Sequence, residues 1–97
     1  MAFIQIIEYR TSDHDALRKG EEEWLAATEG KRTARRIIAG RDRNDPDRYV
    51  EIIFFDSYES AMENSELPET KAAAEQFMAL SEGLQFRDLD VVEDREV

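Results

Sequence analysis

The chain has no cysteine, two prolines, four glycines, one histidine and one tryptophan among 97 residues. Each shortage removes a class of chemistry. Without cysteine there are no disulfides, no thiolate nucleophile and no thiolate metal site, and a cytoplasmic home is the default expectation. With His14 alone, no histidine-based metal cluster can form. No apolar run reaches about 18 residues, so no membrane-spanning helix is expected. The first residues, MAFIQIIEYR, lack the basic start and small-residue cleavage site of a signal peptide and read as a strand. The acidic balance, a net charge of −10, opposes nucleic acid and anionic membrane surfaces.

What is abundant is charge, 37% of residues, around a few concentrated apolar runs. The densest is Tyr49–Phe55, YVEIIFF, with apolar residues at both odd and even positions and Glu51 as its single charge. A strand of this kind needs cover on both faces. Residues 2–9, AFIQIIEY, share the property. Residues 33–42 and 84–92 are strand-like but more polar, carrying Arg35, Arg36, Arg87, Asp88 and Asp90. Gly40 suggests a bulge in the former.

Helices fill the gaps. Thr11-Ser12-Asp13 supplies N-caps for a helix over about 13–28, with Leu17, Trp24, Leu25 and Thr28 on its inner face. Gly20, in mid-helix, suggests a close approach to the sheet. Glu21-Glu22-Glu23 reads as solvated surface, and Gly30 as a helix stop. Asp56 and Glu59 have the spacing of a helix start for a segment over about 57–65. Leu67-Pro68 breaks it and opens a last helix over about 68–82, ended by Gly83.

The order β-α-β-β-α-β predicts an α+β, ferredoxin-like domain spanning residues 1–97, with a four-stranded antiparallel sheet and the helices on one face. The two greasiest strands belong at its centre and the charged ones at its edges. Ile4, Ile6, Val50, Ile52 and Phe54 form an unbroken apolar set and are expected beneath the helices. Phe3, Gln5, Ile7, Tyr49, Glu51, Ile53 and Phe55 are expected on the open face. There a second copy would cover them in a homodimer, and Glu51 would pair with Arg36 or Arg87.

Three features resemble the dimeric α+β barrel superfamily, in particular its antibiotic-biosynthesis monooxygenase-like branch. They are the two-faced central strands, Trp24 on the first helix, and the run FDSYESAMENSELPET from Phe55 to Thr70. The resemblance implies a dimer with a cavity for a small, often aromatic, molecule. It also implies, in the enzymatic case, oxidation of aromatic or polyketide-like substrates without metal or organic cofactor. A non-catalytic ligand-binding or interaction dimer is the alternative. Haem degradation is not implied, because the second helical region has no histidine. Among other owners of the ferredoxin-like order, copper chaperones need a CxxC pair. Acylphosphatases need a glycine-rich loop after the first strand. RNA-recognition motifs need a glycine in their aromatic motif and tolerate −10 poorly. None of these is met.

On the resemblance and on residue chemistry together, His14, Asn64 and Glu51 are the candidate catalytic groups. Tyr9, Trp24, Tyr49, Phe54 and Tyr58 are the candidate walls of a substrate pocket. A basic segment, residues 31–48, holds seven basic residues against three acidic ones. It reads as a charged edge hairpin, or else as a cationic lip for an acidic ligand.

Overall fold

A computed structural model describes all 97 residues. Its elements are β1 (Phe3–Arg10), α1 (His14–Ala27), β2 (Arg36–Arg41), β3 (Arg48–Phe55), α2 (Tyr58–Glu66), α3 (Pro68–Ala79) and β4 (Glu82–Asp90). The strands form one antiparallel sheet in the order β2-β3-β1-β4. The two greasiest strands are central and the two charged strands are edges, as the pattern predicts. No helix is long and apolar enough to cross a membrane.

Local signals account for the helix ends. Asp13 caps α1, its carboxylate accepting from the Ala16 amide at 3.2 Å. Ser57 and Ser60 form a reciprocal capping box on α2. This start lies one residue later than the Asp56/Glu59 spacing suggests. Leu67 is extended and Pro68 opens α3. Gly30 and Gly83 take the positive φ that other residues avoid. Gly83, however, lies at the start of β4, three residues beyond the last residue of α3 plus its cap, because that helix stops at Ala79. Gly40 pairs regularly with Val50, and the one irregularity lies between β1 and β4, near Glu8 to Arg10. Gly20 answers to α3 rather than to the sheet: a Cβ there would stand 3.3 Å from the Gln76 side-chain oxygen.

The main correction concerns the faces. Strand register puts Ile4, Ile6, Val50, Ile52 and Phe54 on one side, with Arg36, Ile38, Arg87 and Leu89 on the neighbouring strands. The helices cover the other side. The buried strand residues are Phe3, Ile7, Tyr9, Tyr49, Glu51 and Phe55, all odd-numbered. The expected assignment is therefore reversed, and Glu51 cannot meet Arg36 or Arg87 within the chain. Both sets are apolar enough to be buried, so the alternation alone does not choose between them.

Two small clusters pin the helices down. Leu17 of α1 packs on Ile7, Tyr9 and Tyr49, and Ala61 of α2 packs on Phe3 and Phe55. Only 11 of the 97 residues are buried. That is few for a domain of this size, and the reason is that much of the space between sheet and helices is empty.

Candidate ligand-binding site

The empty space is a cavity of about 690 Å³ between the odd face of the sheet and the three helices. Its volume suits a drug-sized organic molecule. Of its 29 lining residues, 18 are hydrophobic. Met78 and Phe86, each more than half exposed, mark where it meets solvent.

Its polar groups are few and placed by the fold. Glu51, in the middle of β3, is 7% exposed and borders the cavity. It makes no hydrogen bond or ion pair within the chain. Burial first, and the charge of Glu21 second, push its carboxyl up to about 7. The group therefore gains and loses a proton near neutrality, without a protein partner in either state. Glu21, one turn after Leu17 on α1, is also raised, chiefly by burial; Arg18 and His14 oppose the rise and Glu22 adds to it. Tyr9, beside them on β1, is held above the usual phenol range by burial, then by the charges of Glu51 and Glu21.

His14 is the first residue of α1. Its ring lies flat on Tyr49, with centroids 4.3 Å apart and planes 4° from parallel. Tyr49 in turn stacks on Tyr9 at 5.7 Å, and Phe77 of α3 meets Tyr9 edge-on at 4.7 Å. The result is an aromatic wall at one end of the cavity.

Asn64 is buried on α2, and its side-chain oxygen accepts from the Thr33 amide at 3.1 Å. That bond fixes the orientation of the amide, because a backbone N–H must meet the oxygen and not the nitrogen. The NH₂ end has no partner within the chain and borders the cavity. Trp24 lines the opposite part of α1, its indole N–H donating to Thr70 Oγ1 of α3 at 2.9 Å.

Thus five of the candidate residues, Tyr9, His14, Trp24, Glu51 and Asn64, border one cavity, and Tyr49 stacks into its wall. Two do not. Phe54 is on the opposite face, beneath the Arg36 guanidinium at 5.7 Å, because its parity follows Val50 and Ile52. Tyr58, half exposed at the start of α2, packs edge-on against Phe3 outside the cavity. Glu21 is the polar group that composition hides. It sits in an acidic triplet, but its spacing of four from Leu17 and three from Trp24 puts it on the inner face. No group of three or more acidic or histidine side chains gathers as a metal site.

The segment over residues 31–48 gives the cavity Ile37 and Ala39 but none of its basic side chains. Arg35 clamps Asp56 through two nitrogens at 3.0 and 2.7 Å, and Lys31 meets Glu69 at 2.5 Å. Arg32 donates to the Leu25 carbonyl at 2.8 Å, and Arg10 of β1 pairs with Asp45 in the hairpin. The segment is an edge hairpin stitched down by ion pairs, and the cationic lip is not found.

No protein-family sequence model matches the chain, and no curated protein matches it by sequence. Solved structures match along nearly the whole length. SnoaB, a cofactor-independent oxygenase from Streptomyces nogalater, superposes with a TM-score of 0.81 at 13% identity, covering 96% of this chain and 95% of its own. A Chloroflexus aurantiacus protein classed with the antibiotic biosynthesis monooxygenases gives 0.77 at 20% identity, covering 99% and 98%. A Caulobacter crescentus protein of the same class gives 0.79 at 14%, covering 95% and 91%. The four-stranded antiparallel sheet, with its helices gathered over one face and a cavity between, is the ferredoxin-like fold that these solved structures share.

Proposed function

We propose that this chain is a cytoplasmic homodimer that binds a small, flat organic molecule in the cavity between helices and sheet. Its enzymatic role would be cofactor-independent oxygenation of an aromatic or polyketide-like substrate. The observation that carries the reading is Glu51: a carboxyl group on the floor of a large apolar cavity, buried and without a protein partner. Such a group is costly to keep, and a ligand that donates to it offsets that cost.

The chemistry asked of the site is modest. Oxidation of a phenolic ring to a quinone by dioxygen places one oxygen atom on the ring and releases the other as water. The substrate loses a phenolic proton and a ring hydrogen. A proton acceptor and a donor to the developing oxyanion are the side-chain roles required. His14 and Glu51 can accept, and the free NH₂ end of Asn64 can donate. Tyr9 and Trp24 offer aromatic surface for the ring, and Tyr49 backs Tyr9 from behind.

The dimer reading rests on the open face. Ile4, Ile6, Val50, Ile52 and Phe54 form a continuous apolar surface there, extended by Ile38 and Leu89, which are 41% and 43% exposed. A surface of that kind on a free monomer is unusual, and a second copy packed sheet to sheet would cover it.

The test is a panel of hydroxylated polycyclic aromatics, read first by thermal shift and then with an oxygen electrode. Binding raises the melting temperature, and Ala73→Trp, which fills the cavity, removes the rise. Absence of any rise across the panel sinks the cavity reading. A rise with no oxygen uptake leaves a ligand-binding dimer without catalysis.

A further inference from the structure

We propose that the ligand of the cavity is a flat aromatic amine, its ammonium facing the carboxyl groups of Glu51 and Glu21 and its ring lying against the aromatic wall. This rests on the ligand-binding reading above and takes from it the cavity, not the reaction.

The titratable side chains lining the cavity come from three elements. α1 gives His14, Arg18, Glu21 and Glu22, β1 gives Tyr9 and β3 gives Glu51; β2, β4, α2 and α3 contribute none. Arg18 and Glu22 are solvent-exposed, and Arg18, with His14, acts on the Glu21 carboxyl from the rim. Inside remain two carboxyls, Glu51 and Glu21, and Glu51 has no cationic side chain to answer it. Lys31, Arg32, Arg35 and Arg36 are engaged elsewhere, and none of the seven basic residues of the 31–48 segment lines the cavity.

Glu51 is the observation that turns an acidic patch into a site. It is more than nine-tenths buried, unpartnered, and on the cavity wall. A neutral hydroxyl would satisfy one oxygen of Glu51 and bring no charge to answer a carboxylate there. An ammonium does both, and its own desolvation is offset by two carboxylates rather than one. The aromatic rings of Tyr9 and Phe77 add a second attraction specific to cations. A carboxylate ligand meets the reverse situation: it would bring a third negative charge into a low-dielectric space.

The experiment uses three matched probes, naphthylmethylamine, naphthylmethanol and naphthoate, by titration calorimetry at about pH 8, where Glu51 is ionised and the amine is protonated. The amine should bind at least about tenfold more tightly than the alcohol, and naphthoate most weakly. Glu51→Gln should weaken the amine by about tenfold or more and leave the alcohol within about threefold. Lowering the pH to about 5.5 should weaken the amine in the wild type and leave the variant nearly flat, because Glu51 takes up its proton over that range. A melting transition for Glu51→Gln shows that the variant is folded. The proposal is overturned if the alcohol matches the amine, if naphthoate binds best, or if folded Glu51→Gln keeps the wild-type amine affinity. In those cases the cavity reading stands. If none of the three binds, the cavity reading falls and the amine with it.

Discussion

The two faces of the central strands are built from neighbouring residues of the same two segments, yet they differ in kind. The even face is apolar over its middle: Ile4 lies opposite Phe54, and Ile6 opposite Ile52. Its charges stand toward one end of the central strands, as Glu8, Arg10 and Arg48, and on the edge strands, as Arg36 and Arg87. The odd face mixes apolar bodies with polar tips: Tyr9 opposite Tyr49, Ile7 opposite Glu51, Gln5 opposite Ile53. An apolar patch of this kind suits close packing against another protein surface, which rewards area and tolerates no unpaired polar atom. A face with polar tips suits a cavity, where a few directed groups fix the orientation of a small molecule. Burial within one chain thus does not separate a core from a binding surface, but the kind of residue buried does.

The comparison is most easily broken at the even face. Ile52→Glu puts a carboxylate at the centre of the proposed sheet-to-sheet contact, and should raise the dimer dissociation constant by at least about 100-fold. Light scattering should then report the 11.3 kDa monomer where the parent reports twice that mass. A parent protein that is already monomeric at micromolar concentration refutes the dimer, and with it the contrast drawn between the faces.

The odd face is sharpened by Glu51. Its carboxyl loses a proton near 4.5 in the unfolded chain but only near 7 in the folded one. Between those values the folded state holds the extra proton, so stability falls as pH rises through the window and stays low above it. Glu51→Gln removes this loss. The variant should match the wild type below about pH 4.5 and exceed it by up to about 3 kcal/mol above about pH 7. Glu21 adds a slope of the same sign that the substitution leaves in place. Urea melts at a series of pH values measure the difference; parallel curves for the two proteins would mean that Glu51 is solvated.

A smaller effect is expected at Asn64. Asn64→Ala leaves the Thr33 amide without its acceptor in a part-buried site, a loss of about 1–3 kcal/mol by chemical denaturation. An unchanged midpoint would show that Asn64 does not hold the loop, and would free both ends of its amide for a ligand.

Much of the fold was legible because the greasiest strands had to be central and the charged ones peripheral. Which face the helices would cover was not. The misleading rule was that a mid-strand Glu or Gln marks the outer side. That holds where a sheet packs tightly, but a cavity floor has room for polar tips. Phe54 was misplaced by the same error of parity, whereas His14, Asn64 and Trp24, on helices, did not depend on it. Glu21 was hidden by its neighbours Glu22 and Glu23, although helical spacing alone would have found it. Tyr58 failed for a different reason: as the first residue of α2 it points past the end of the sheet toward Phe3.

The last helix carries one more consequence. α3 has no buried side chain and is tied to its surroundings by the Trp24–Thr70 hydrogen bond, the Lys31–Glu69 pair and the contacts of Phe77. It is the element with the least to lose by opening. A guest molecule seated beneath it would supply the apolar partner that the chain itself does not provide, and would complete the hydrophobic interior from outside the sequence. Occupancy and rigidity would then be one equilibrium, with the amide hydrogens of α3 exchanging fast when the protein is empty and slowly when it is full.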